Sequence, residues 1–177
     1  MFNQFTNLVL SRQSCRDFND KPLEKQVVES IVGLALNAPS ACNSQPWKVF
    51  IVTDKNAMAG VTKAVQDKGM NKFADKAKAF IVITEVDATL KEHVSDRFDR
   101  NHFVKYDIGE LTAYITLAAQ SKGVASCILG WINQQALRSA VGYPETEISN
   151  IVIALGYTDI PVREKKRKPQ EEIVFNV

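Results

Sequence analysis

The sequence predicts an α+β fold, and three observations predict it. Helix-spaced segments and β-branched runs intermix without the strict β-α alternation of a doubly wound sheet. The eight glycines form neither Gly-x-Gly-x-x-Gly nor a Walker A loop, which argues against a Rossmann or P-loop nucleotide site. A length of 177 residues, 45% hydrophobic and 24% charged, suits one domain that buries a core.

The elements follow in order. Residues 3–11 read as a short helix with Phe5, Leu8 and Val9 on one face. The polar stretch Ser11–Arg16 reads as loop or extended chain. Pro22 suits the first turn of a second helix, in which Val27, Val28, Ile31, Leu34 and Ala35 keep helical spacing and which Pro39 ends. Trp47–Thr53 reads as a buried strand. Asp54 is placed to cap a helix that runs to about Val65, and Ala79–Thr84 reads as a second strand. The segment 85–105 is charged and poorly periodic, and reads as a mobile loop or a small helical excursion over a site. Asp107–Lys122 is the clearest helix. It is apolar over so much of its circumference that it reads as a central buried one, with Gly123 just past its end. A short apolar stretch, Cys127–Gly130, precedes a brief helix over Gln134–Val141 that Gly142 and Pro144 close. Ile151–Leu155 reads as a strand, and 171–177 as extended tail.

Composition narrows the function. A net charge of +2 does not describe a nucleic-acid binder. Cys15, Cys42 and Cys127 are odd in number and widely spaced, which reads as reduced thiols in a cytoplasmic protein. The first residues lack the basic start and apolar core of a signal peptide, and no apolar run approaches the roughly 20 residues of a membrane span. His93 and His102 lack metal-like spacing and read as surface histidines. No nucleophile–base pairing is evident.

What remains is polar chemistry in three places. Arg12, Ser14 and Arg16 alternate, so in extended chain they point the same way and offer an anion three donors. Lys165, Lys166, Arg167 and Lys168 make a second basic group, stiffened by Pro169. Either group alone also reads as solvated surface. Between Pro39 and Pro46, Ser40, Asn43, Ser44 and Gln45 supply more donors and acceptors than a helix-to-strand turn needs, as a site for a flat, polar-edged ligand would.

In sequence order these segments resemble the nitroreductase family of FMN-dependent oxidoreductases. The likeness rests on Arg12-Gln-Ser-Cys-Arg16-Asp-Phe18, on Pro39-Ser-Ala-Cys-Asn43-Ser-Gln45-Pro-Trp47, on Gly123-Val-Ala-Ser126 with Leu129-Gly130, and on Ile151–Leu155 with Gly156-Tyr157 and Lys165-Lys-Arg167. Any one of these is weak; four in register over nearly the whole chain are specific. The resemblance implies one FMN-binding domain over 1–177, with a central, mainly antiparallel sheet flanked by helices. It further implies an intertwined homodimer with the flavin between subunits. Arg12, Gln13, Ser14, Arg16, Lys165 and Arg167 would then serve the phosphate and flavin of one subunit's cofactor. Pro39, Ser40, Ala41, Asn43 and Gln45 would reach that flavin from the other subunit. Leu129 and Gly130 would lie near the isoalloxazine, with a backbone N–H facing N5.

The implied reaction is a ping-pong transfer of hydride from NADH or NADPH to a nitroaromatic, quinone or similar small-molecule acceptor. No side-chain acid or base is needed; a cation or amide near the flavin N1 and O2 would raise its potential. Reductive dehalogenation or enoate reduction on the same fold is the nearest alternative. A flavin-binding storage or sensor protein is a more distant one. The chain is short for the family, leaving 85–105 as the only sizeable candidate lid, and no flavin-edge role is assigned between Lys63 and Lys76, where Asn71 and Lys72 lie.

Overall fold

The structure, a computed structural model, describes residues 2–177. Its centre is set by period-two alternation in the β-branched runs. Strand β1 (Trp47–Val52) pairs antiparallel with β2 (Ala79–Glu85). Next comes β4 (Ile148–Gly156), and β3 (Ala125–Leu129) closes the far edge. The order is β1-β2-β4-β3, and every pair is antiparallel, as the family resemblance implies. The short apolar stretch at Cys127 is thus itself a strand.

Alternation divides the apolar side chains between two cores. Ala79, Ile81, Ile83, Ile153 and Leu155 face one layer; Phe80, Val82, Cys127, Val152 and Ala154 face the other. The first layer holds helices α2 (Lys25–Ala35) and α5 (Val104–Ser121), with α1 (Phe2–Ser11) against α5. The second holds α3 (Lys55–Val65) and α6 (Gln134–Val141), packed on each other. With helices on both faces, β2 is buried almost throughout.

Local chemistry sets the helix ends. The Asp54 carboxylate accepts from the backbone N–H of Asn56 (2.9 Å) and Ala57 (3.0 Å), the cap expected from sequence. Asn133 does the same for α6 through Ala136 N–H at 3.0 Å. Gly142 closes that helix at φ 84°, which favours glycine.

Three expectations change. Pro22 lies outside α2, which begins at Lys25 behind an extended Glu24. The extended lead-in carries Leu23 into the core. Helix α5 is buried on one face only: Ile108, Leu111, Ile115 and Ala119 pack on the sheet, while Tyr106 and Tyr114 are exposed. Its second apolar face, with Phe5, Leu8 and Leu34, lines an open groove of about 440 Å3. The tail is not wholly extended. Pro169 starts a tight turn over Gln170–Glu172, with Val174 N–H donating to Gln170 O at 2.8 Å. Beyond it Ile173, Val174 and Phe175 are exposed.

Candidate functional site

The polar stretch after α1 runs extended along the β3 edge. Ser14 bridges Ser126 in parallel, and Cys15 N–H donates to Ser126 O at 2.9 Å. Cys15 enters the core, while Arg12, Ser14 and Arg16 line a cleft of about 380 Å3 as alternation requires; Gln13, out of that alternation, lines it too. Its other wall is the chain from Arg163 to Arg167, so the two basic groups that are far apart in sequence meet.

Gln13 and Arg163 join these walls. The Gln13 amide donates to Pro161 O (3.1 Å), and its Oε1 accepts from Arg163 N–H (3.1 Å) and Nε–H (3.3 Å). Arg163 also donates to Ser14 O at 2.9 Å. Gln13 is therefore committed to holding the cleft together. Sequence reasoning gives Arg163 no role; only its pairing with Gln13 distinguishes it from the neighbouring lysines.

The cleft is electrostatically unfinished. The ion pairs among the described residues are Lys25–Glu29, Lys48–Glu147, Lys76–Asp17, Lys78–Asp20 and Arg100–Asp87, none of them in this cleft. Glu164 is the one acidic residue among its lining side chains. The Lys165 ammonium donates to Val9 O at 2.6 Å, and its pKa is held below the ordinary lysine value by desolvation, then by Arg12 and Arg167. A lysine with two arginines this close by, and no carboxylate paired to them, fits a phosphate dianion.

The 39–46 stretch lies elsewhere, and none of Pro39, Ser40, Ala41, Asn43 or Gln45 lines that cleft. Its backbone is unusual: Cys42, Asn43 and Gln45 have φ of 54°, 53° and 49°. Such non-glycine conformations cost of order 1 kcal/mol each and persist only where surroundings hold them. The holding contacts are specific. Ser40 Oγ accepts from Gln45 N–H (2.9 Å), and Asp107 Oδ1 on α5 accepts from Ala41 N–H (3.0 Å). Ser44 Oγ accepts from Thr89 N–H (2.6 Å). The Asn43 and Gln45 side chains are left exposed, so the turn presents two amides outward. Asn37, just ahead of it, borders the open apolar groove.

Segment 85–105 is the helical excursion, with one helical turn, α4 (Glu92–Ser95). It is pinned to itself: Asn101 Nδ2 donates to Asp87 Oδ1 at 3.0 Å and Arg100 Nε to Ala88 O at 2.9 Å. Both histidines are exposed, as expected. Asn71 donates to Val65 O at 3.0 Å, which spends its amide on the end of α3. Leu129 is buried as a whole residue, its side chain in the second core, so it is the exposed backbone of Gly130 beside it that a ligand can reach. Neither lines the basic cleft; both continue the strand that Ser14 bridges.

Comparisons with known proteins agree with this architecture. The sequence profile of the Nitroreductase family matches residues 9–157. A protein of Archaeoglobus fulgidus, provisionally named an NADH dehydrogenase/NAD(P)H nitroreductase, is 29% identical over 154 residues, which is 85% of this chain and 83% of the relative. Iodotyrosine deiodinase of Haliscomenobacter hydrossis is 20% identical over 189 residues, 93% of this chain and 85% of the relative. The solved structure of a protein from Staphylococcus epidermidis, provisionally named an NAD(P)H:FMN oxidoreductase, superposes with a TM-score of 0.82. Its identity is 18%, over 99% of this chain and 96% of the other.

Proposed function

The chain belongs to the nitroreductase family, and on that premise we propose that it is an FMN-dependent, NAD(P)H-linked reductase of small planar acceptors, active as a homodimer. The observation that carries the cofactor assignment is the meeting of Arg12–Arg16 with Lys165–Arg167 around an unneutralised cleft. Arg12, Ser14, Arg16, Lys165 and Arg167 bind the FMN phosphate, and Gln13 and Arg163 hold the two walls at the right spacing. Pro39, Ser40, Ala41, Asn43 and Gln45 belong to the other face of the flavin site and serve the cofactor of the second copy. Asn43 and Gln45 orient the ring there, and the backbone at Leu129 and Gly130 offers an N–H to its central edge. Bound there, FMN would supply the hydride chemistry that links NADH or NADPH to the acceptor. No side chain of the chain needs to move a proton in this scheme.

The open apolar groove supports the dimer. Phe5, Leu34 and Tyr114 stand 59%, 53% and 42% exposed on the α1, α2 and α5 face. A second copy would cover them and bring its 39–46 turn to the seam. The exposed Ile173–Phe175 tail fits an intertwined arrangement.

The test begins with colour. Purified protein should show oxidised-flavin absorption and release FMN, not FAD, on denaturation. Stopped-flow mixing with NADH or NADPH should bleach it. A colourless protein that takes up no added FMN would overturn the reading, and a yellow one that neither nucleotide reduces would leave only a flavin carrier. The deiodinase likeness favours one second reading, reductive dehalogenation. Halide release from a halogenated phenol by the reduced protein, faster than turnover of nitroaromatics or quinones, would select it.

A further inference from the structure

Asp107 is a buried carboxylate that no part of the reaction above employs. It lies in the first turns of α5, only 4% exposed, in a layer otherwise built from Val104, Ile108 and Leu111. One oxygen accepts the Ala41 N–H at 3.0 Å. The other, Oδ2, is buried without any hydrogen-bond partner. A carboxylate half-satisfied in an apolar layer is a poor way to stabilise a fold, since a buried, unpartnered oxygen loses its hydration for nothing. The group it does hold is therefore where a role is to be sought. Ala41 opens the turn whose next residues, Cys42 and Asn43, are left-handed, followed by Gln45 two positions on. Asp107 fixes that turn from inside the core, across 66 residues of sequence, while Ser40 Oγ fixes it locally through Gln45 N–H.

We propose that Asp107 is a positioning residue for the flavin: by clamping Ala41 N–H it holds the 42–45 turn in the one conformation that presents Asn43 and Gln45 to the isoalloxazine. This rests on the reading of that turn as a flavin face. It also accounts for the strain, because three left-handed non-glycine residues need a fixed anchor to stay put. The clamp is geometric. An amide oxygen at the same place would serve, whereas a side chain too short to reach Ala41 would not.

The experiment compares Asp107→Ala, Asp107→Ser and Asp107→Asn with the unaltered protein. It measures FMN affinity by fluorescence and the visible circular dichroism of flavin bound at saturation, well below the melting temperature. Asp107→Ser guards against an alanine variant that does not fold, because serine can bond back to its own helix. The expected result is a loss of FMN affinity of about tenfold or more in the alanine or serine variant, with an altered flavin dichroism, both restored by Asp107→Asn. Alanine and serine variants that bind FMN within about threefold of the unaltered protein, with its dichroism, would make Asp107 a stability residue and overturn the proposal, even if they melt earlier. An asparagine variant as poor as the alanine one would overturn the clamp in favour of the charge. If the unaltered protein itself takes up no FMN, the flavin reading fails first, and this proposal with it.

Discussion

At the scale of single residues, the cleft's chemistry gives two predictions. Arg12→Ala and Arg167→Ala should each weaken FMN binding by about ten- to a hundredfold, the worth of one charge-assisted hydrogen bond. The melting temperature of the cofactor-free protein should hardly move, because neither residue enters an ion pair. Equilibrium dialysis with differential scanning fluorimetry checks both. Lys165 adds a pH dependence. Its pKa is lowered in the folded chain, so it sheds its proton earlier than an ordinary lysine as pH rises. FMN affinity should therefore fall on the alkaline side of neutrality sooner than in Lys165→Arg, which keeps its charge. What the sequence made legible here was local. Arg12, Ser14 and Arg16 were found because alternation needs no knowledge of partners. Arg163 and Asp107 were missed because their meaning lies in contacts 150 and 66 residues away, with Gln13 and Ala41. No pattern in one sequence displays such pairings.

Among elements, the tightest crossing is that of α3 and α6. A methyl group added at Gly60 would sit 2.6 Å from Ala140 Cβ, with the Ala140 backbone behind it at 3.4 Å. Gly60→Ala gains about 1 kcal/mol of helix propensity, but overpacking costs about 1–3 kcal/mol, so net destabilisation is expected in urea melts. Gly60→Ala combined with Ala140→Gly should recover part of that loss. Element recognition succeeded where the signal was intrinsic, as at the Asp54 cap, the α6 ends and the β2 run. It failed at Pro22, where proline's preference for a first turn yielded to the need to bury Leu23. It failed on α5 as well, because an apolar circumference reports burial without saying by what.

In the whole molecule, the helices on both faces and the sheet order leave one apolar face open, and the function proposed requires it to be covered. Dilution should then release FMN and lower the melting temperature together, since a partner that binds only the folded state stabilises by mass action. Sedimentation at several concentrations, followed by flavin fluorescence, checks the coupling. Acid should act from a different place. Glu147 is 5% exposed, and burial alone would raise its pKa, but hydrogen bonds from Lys48 and Thr84 and the Lys48 charge together bring it below the ordinary 4.5. A lowered carboxyl pKa gives stability that is complete above 4.5 and is lost as pH falls through the lowered value. Glu147→Gln should therefore be less stable at neutral pH and show a shallower acid slope in melts between pH 3 and 7. A last consequence comes from the bridge between Ser14 and Ser126. The segment proposed to bind the FMN phosphate also covers part of the β3 rim, so on that proposal the molecule guards its own border with its cofactor clasp. Stripping the flavin would loosen that guard and bare a row of unpaired amides, a template for strand-to-strand sticking. Samples stored without FMN should clump first, and light scattering with and without added FMN would reveal it.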